Sequence, residues 1–353
     1  LISSGTIVVE GSRISGVDSA AMAAIRGRRI SVIFQDPLTS LNPLYTVGQQ
    51  LTETIELHLK LNAQDAHQRA IELLNDVGIP NPELRIDQYP HQFSGGMRQR
   101  VVIALALCSE PEVIVADEPT TALDVSVQAQ ILDLIKDLAR ERRVGVILIT
   151  HDMGVIAETT DVMTVMYGGE VMETGPTKDV LGNPQHEYTQ SLIAAVPRAG
   201  HKVDRFPQVS YGGRQIAFKI EDLARNWSAT TEQDGTLLKV QNFSKKFIEK
   251  RSIFPSRQRY FTAVDDVSFD IQRGEVFGLV GESGSGKSTI ARMIAALYKV
   301  DGGDIAYEDK VITKASKEDM EDYRRQIQMV FQDPYSSLNP HHRVDAIVAE
   351  PAL

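Results

Sequence analysis

The residues best suited to do chemistry here handle phosphate. Gly281-Glu-Ser283-Gly284-Ser285-Gly286-Lys287-Ser288-Thr289 matches G-x-x-x-x-G-K-[ST]. It follows the strand-like run 275–280 and precedes the helix-patterned Ile290–Leu297. The glycines let successive main-chain N–H groups turn inward around an anion, and the next helix adds its positive dipole end. Lys287 can reach the β- and γ-phosphates of a nucleoside triphosphate, and the Ser288 hydroxyl can sit on Mg²⁺. A Gly/Ser-rich turn without chemistry is the plain alternative, and the strand–loop–helix context argues against it. A second set of polar residues follows apolar runs: Asp117-Glu118 after 113–116, and His151 after 147–149.

The elements that must hold these groups come in two copies. Phe34-Gln-Asp-Pro-Leu-Thr-Ser-Leu-Asn-Pro43 is repeated as Phe331-Gln-Asp-Pro-Tyr-Ser-Ser-Leu-Asn-Pro340, an offset of 297 residues from Gln35 to Gln332. Each follows an Arg pair, Arg28-Arg29 or Arg324-Arg325, and a short apolar run. Residues 113–116 and 146–150 read as buried parallel strands, and 126–143 as an amphipathic helix with Ile131, Leu134, Ile135 and Leu138 on one face. Strands alternating with helices predict an α/β fold with a parallel-sheet core. Residues 49–74 read as a polar helical insertion.

The bulk numbers narrow the class. At 353 residues the chain is long enough for about two domains. With 37 Lys+Arg against 47 Asp+Glu, the net charge of −10 argues against a nucleic-acid partner. No apolar stretch reaches the ~18–20 residues of a spanning helix. The single cysteine, Cys108, cannot form an internal disulfide and reads as a small buried hydrophobe.

In order, Phe93-Ser-Gly-Gly-Met-Arg-Gln-Arg100, 113–119, Thr121-Ala-Leu-Asp124 and Ile147-Leu-Ile-Thr-His151-Asp152 resemble the ATP-binding-cassette (ABC) ATPases. Phe93 stands for the usual Leu of the signature and Met97 for the usual Gln. The resemblance implies a P-loop NTPase fold, a parallel-sheet core with a helical subdomain, in two partial tandem copies. Its cofactors are ATP and Mg²⁺. Asp117 then holds Mg²⁺ through water, and Glu118 polarises the attacking water as general base, an effect of order 10²–10⁴-fold. Gln35 and Gln332 look like the family's Q-loop glutamine, touching Mg²⁺ or the attacking water. His151 resembles the switch histidine on the γ-phosphate. Ser94, Gly95, Gly96 and Met97 form the signature that faces ATP held by another cassette, with Asp124 at the same interface. Phe247 is the candidate to stack on adenine, with Tyr260 and Phe261 as competitors.

The tail, Tyr167-Gly-Gly-Glu-Val-Met-Glu-Thr-Gly175 and Asn183-Pro-Gln-His-Glu-Tyr-Thr-Gln-Ser-Leu192, resembles the extension of oligopeptide/dipeptide importer ATPases, most closely their tandem glutathione-importer subgroup. That implies two membrane permease subunits, an indirect periplasmic peptide-binding partner, pairing of ABC domains, and a peripheral place on the cytoplasmic face of the bacterial inner membrane. Residues 1–175 read as a first cassette lacking its P-loop part, 176–200 as the extension, 201–236 as linker, and 237–353 as the start of a second cassette. By the repeat offset, copy one's P-loop lysine falls before Leu1 and copy two's signature serine beyond Leu353. The chain by itself is therefore expected to hydrolyse ATP poorly. A soluble tandem ABC ATPase of ribosomes or nucleic acid is the alternative; it calls for a long charged helical linker or a basic surface, and the sequence shows neither.

Overall fold

The computed structural model describes residues 4–121, 123–197, 235–250, 259–331 and 337–350. Most of the expected linker, and Gln332, lie outside them. The chain divides into two units, Leu1–Phe218 and Lys219–Leu353.

In the first unit a hairpin, β1 (Val8–Val9) and β2 (Ser12–Arg13), precedes helix α1 (Ser19–Ile25). The sheet that follows is β3 (Ile30–Ile33), β4 (Val113–Asp117) and β5 (Gly145–Ile149), parallel, in the order β3-β4-β5. Ile30 pairs with Val113, and Val113 in turn with Gly145. These runs are rich in β-branched and apolar residues, but only one face is covered: Ile33, Ile114 and Ala116 are buried, whereas Val32, Ile147 and Ile149 are exposed. The strand expected to be buried at 146–150 is therefore buried on neither Ile147 nor Ile149. Between β3 and β4 lie α2 (Pro37–Ser40), α3 (Val47–Leu59), α4 (Ala63–Asp76), α5 (Pro82–Arg85) and α6 (Gly95–Leu107).

The helical insertion thus resolves into a pair. A capping box between Thr46 and Gln49 starts α3, and the Asn62 side chain accepts the Asp65 N–H to start α4. Its polar reading holds for the outer faces only. Leu51 and Ile55 of α3 and Ala66, Ala70, Leu73 and Leu74 of α4 are fully buried.

Helix α7 (Val125–Arg142) buries Ile131, Leu132, Ile135 and Leu138, while Leu134 is half-buried at the rim. Arg143, left-handed at φ 53°, ends it. After α8 (Met153–Thr159), the antiparallel β6 (Val162–Tyr167) and β7 (Glu170–Pro176) pack with α9 (Thr177–Gly182) and α10 (Glu187–Ala194) around Met163, Val165 and Val180. The tail motifs on both sides of residue 175 therefore share one small core.

The second unit is built on a long antiparallel ribbon, β8 (Thr236–Lys250) with β9 (Arg259–Gln272). After α11 (Lys287–Ile294), β10 (Gly302–Tyr307) and β11 (Lys310–Val311) complete a four-stranded sheet in the order β11-β10-β8-β9. The helices α12 (Lys317–Gln326) and α13 (Val344–Ala349) follow. Phe243, Ile290, Met293, Ile305 and Tyr323 fill its core.

Two expectations are corrected here. Residues 275–280 form no strand, and Val276 is 98% exposed. A strand needs a neighbour for its N–H and C=O groups, and no described strand lies alongside this run. The helix expected at 290–297 begins earlier, at Lys287, because Gly286 at φ 92° supplies its start, and it ends at Ile294. Among the described residues no helix is long and apolar enough to cross a membrane.

Candidate active site

The end of β4 delivers the carboxylates to the C-terminal edge of the parallel sheet, where open α/β folds bind ligands. Asp117 closes the strand with its side chain exposed. Glu118 turns out of it at φ 46°, a left-handed conformation uncommon outside glycine, and its N–H donates to the Ile149 carbonyl at 2.9 Å. That bond ties the carboxylate to the end of β5, the strand that leads to His151.

Three groups converge on Glu118. Gln35 Nε2 donates to Oε2 at 2.7 Å, Thr121 Oγ1 donates to Oε2 at 2.9 Å, and His151 Nδ1 lies 2.8 Å from Oε1. His151, then Thr121, with a lesser contribution from Gln35, hold the carboxyl below the usual range against the opposing effect of burial. Facing an ionised carboxylate, the imidazole must carry its proton on Nδ1. The ring sits between β5 and α8, whose cap Asp152 accepts the Gly154 N–H at 2.8 Å. His151 is 73% exposed and Glu118 only 22%.

The structure thus assembles Gln35, Glu118 and His151 from three separate stretches. Thr121 was not foreseen as a site residue. Its signal was a hydroxyl three positions after the carboxylate.

Ser94 caps α6, its Oγ accepting the Met97 N–H at 3.3 Å, with Gly95 and Gly96 in the first turn. A Cβ on Gly96 would lie 2.6 Å from Val127 Cγ1, so the starts of α6 and α7 approach more closely than any side chain permits. Asp124 caps α7 by accepting from the Val127 N–H at 3.0 Å and from Ser126 Oγ at 3.1 Å. The signature and Asp124 are therefore neighbouring helix starts, each a donor-rich end. Phe93, in the usual Leu position, is buried beneath the Arg85 guanidinium.

In the second unit the candidate phosphate loop bends through Gly284 and Gly286, at φ 81° and 92°. A Cβ on Gly286 would meet the Ala263 carbonyl oxygen at 2.4 Å, so the loop lies directly on β9. Lys287 Nζ donates to Gly281 O at 2.7 Å, Glu282 O at 2.6 Å and Ser285 Oγ at 3.2 Å, which folds the cation across the loop. Ser288 and Thr289 follow in the first turn of α11.

Phe247 is half-buried, edge-on to Tyr298 at 5.6 Å with Lys245 Nζ 5.6 Å from its ring centre. It pairs across the ribbon with Phe261, two residues before Ala263. Phe261 and Tyr260 are more exposed.

The donor set suits Mg²⁺, which takes few protein oxygens and completes its shell with water and phosphate. Ser288 offers a hydroxyl in copy two, and Asp117 an exposed carboxylate in copy one. No group of three or more His, Cys, Asp or Glu among the described residues competes as a cation cage.

A G-x-x-x-x-G-K-S loop opening a helix in the second unit, and in the first a strand-end carboxylate held by a glutamine and a histidine, are the features of an ABC-type nucleotide-binding protein. The chain belongs to the ABC transporter family, whose model matches residues 2–121 and 264–349. It falls in the oligopeptide/dipeptide branch, whose C-terminal region matches residues 172–215. It is 44% identical over 342 residues to the glutathione import ATP-binding protein GsiA of Escherichia coli K12, covering 96% of this chain and 54% of that protein. The GsiA of Salmonella choleraesuis is 43% identical over 348 residues, with the same shares covered. The chain thus spans about half the length of these curated relatives. Among solved structures, cbiO1 from Clostridium perfringens, part of the ABC transporter complex cbiONQ, is 30% identical with a TM-score of 0.46, covering 51% of this chain and 69% of that one.

Proposed function

We propose that the protein is an ATP-binding and ATP-hydrolysing subunit that energises import of peptides of the dipeptide, oligopeptide or glutathione class across the bacterial inner membrane. The observation that carries this reading is the convergence of Gln35 and His151 on Glu118 at the C-terminal edge of the sheet. Glu118 is the base that orients and deprotonates water, and the hydrogen bonds led by that of His151 favour its ionised form. Gln35 must release it before water can take that oxygen, so the glutamine gates the base. His151 holds the other oxygen and presents the rest of its ring toward a terminal phosphate.

Gly281–Thr289 is the phosphate cradle, with Lys287 exchanging its main-chain acceptors for phosphate oxygens. When bound, Mg²⁺ neutralises charge on the β- and γ-phosphate oxygens. Ser288 and Gln332 would hold it in copy two, and Asp117 and Gln35 in copy one. Ser94, Gly95 and Gly96 offer a second phosphate grip to a partnering cassette, flanked by Met97 and Asp124. Phe247 is the adenine platform in this reading.

The domain plan is the one read from the sequence, 1–175, 176–200, 201–236 and 237–353. The partners are two transmembrane permeases and, through them, a periplasmic peptide-binding protein, with the ATPase peripheral on the cytoplasmic face.

The test is Glu118→Gln in the full-length protein assembled with its permeases. ATP should stay bound and turnover should fall at least ~10²-fold at the site holding residue 118. Unchanged turnover rejects the role of Glu118. Recovery of ribosomes or DNA in place of permeases rejects the importer reading.

A further inference from the structure

Two neighbouring residues in the first turns of the signature helix, Arg98 and Gln99, bury polar side-chain atoms that have no hydrogen-bond partner. They are Arg98 Nε and both amide atoms of Gln99, with Gln88 Oε1 a further case outside the helix. Gln99 is the extreme case, because it is 1% exposed and neither its donor nor its acceptor is engaged. An unpaired amide in a core is costly, and an apolar side chain of the same shape would remove that cost. Natural sequences keep such local conflicts mainly where function needs them.

Its neighbours say what it could serve. Gln99 lies one turn before Ile103 on the same face of α6. Ile103 and Leu107 line a small apolar cavity with Ile33, the last residue of β3, and with Ile114. Helix α6 lies on β3, and just beyond its C-terminal end Ser109 Oγ donates to the Gly27 carbonyl ahead of that strand. Running back from Leu107 to Gln99 therefore leads toward the end of β3 and the segment that carries Gln35. Helix α2, in that segment, packs on α6. It is one turn long, so its later carbonyls have no intrahelical donor.

We propose that Gln99 is a positioning residue coupling the signature helix to the Gln35 segment: when Gln35 releases Glu118, the Gln99 amide donates to a main-chain carbonyl of residues 34–40. In the present conformation Gln35 is held by Glu118 and the Gln99 amide is unpaired. Movement of the segment thus exchanges one hydrogen bond for another and carries α6, with Ser94–Gly96 at its start, along with it. The consequence for turnover rests on the proposed ATPase function; the coupling itself does not.

Gln99→Met keeps length and volume and deletes both polar atoms. In the full chain without nucleotide, its thermal midpoint should equal or exceed the parent's. In a Gln35→Ala background, where the segment is free of Glu118, the same substitution should lower the midpoint by ~3 °C or more. Additive effects overturn the coupling. So does a loss of stability from Gln99→Met alone, which shows an amide already satisfied at rest.

In the complete transporter, Gln99→Met should lower maximal ATP turnover at least tenfold with KM for ATP within twofold. Parental turnover in this variant overturns the inference. A parent without turnover rejects the ATPase reading, and the denaturation cycle then decides the coupling.

Discussion

The repeated decapeptide makes the two halves of the chain a matched pair, and they use it differently. In copy one the run before it is β3, paired along its length to β4, with Ile33 1% exposed. In copy two the corresponding run, residues 327–330, follows α12 without strand pairing, and Val330 is 97% exposed. The Arg pairs diverge in the same way. Arg29 clamps Glu112 through Nε at 2.8 Å and Nη2 at 2.8 Å, which docks the start of β4. Among the described residues, Arg324 reaches the Ala296 carbonyl at 3.3 Å, and Arg325 an exposed Asp322 at 3.7 Å. The difference lies in the neighbours: a short apolar run becomes a strand only where another strand takes up its hydrogen bonds.

The hairpins give the converse case. Glu10-Gly11 and Glu308-Asp309 both take positive φ at their two central residues, the turn that matches the twist of paired strands. The turn forms in both copies because its geometry is local. Only in copy two does the hairpin join a larger sheet, through β10 on β8.

Substitutions can break this comparison. The largest effect belongs to catalysis, where Glu118→Gln should cost at least ~10²-fold in turnover, and the matching test in copy two must target the phosphate loop. There, Gly286→Ala should weaken binding of a fluorescent ATP analogue at least tenfold, because its Cβ would meet a carbonyl oxygen at 2.4 Å. Wild-type affinity would show that the loop can shift off β9.

Next comes the repeat itself. Ile33→Ala removes a fully buried side chain and should destabilise the first unit by ~2–5 kcal/mol, whereas Val330→Ala should stay within ~0.5 kcal/mol. Equal effects in denaturant melts would mean that both runs are paired.

The smallest expected effect is a pH dependence. Hydrogen bonds from His151, Thr121 and Gln35 favour ionised Glu118, so its folded-state pKa is depressed. The stabilisation they bring is complete above the unfolded-state value of about 4.3 and is lost as pH falls through the lower folded-state value. His151→Ala should flatten the stability profile as pH falls below the unfolded-state value of about 4.3. An unchanged profile rules out the Glu118–His151 pairing. Copy two supplies the control, since no equivalent carboxylate lies within its described residues.

Much of the site was legible in the sequence because its parts are local. Gly286 before Lys287, Ser94 before a helix and Asp124 before another are starts whose bonds close within a few residues. Glu118, Gln35 and His151 were legible as candidates from motif order. Their meeting was not legible, because Gln35 and Glu118 are 83 residues apart and only the β3-β4-β5 register brings their strand ends together. Thr121 was passed over for a related reason: its hydroxyl matters only once Glu118 has turned back at φ 46°.

The sequence by itself determined the family and the α/β class and named the candidate phosphate loop and catalytic residues, since each depends on residue type and short spacing. Tertiary structure alone decided that 275–280 is not a strand, that two near-identical decapeptides follow runs of opposite burial, and that Gln99 is buried without a partner. Each of these turns on which neighbour, distant in sequence, satisfies or fails to satisfy a polar group.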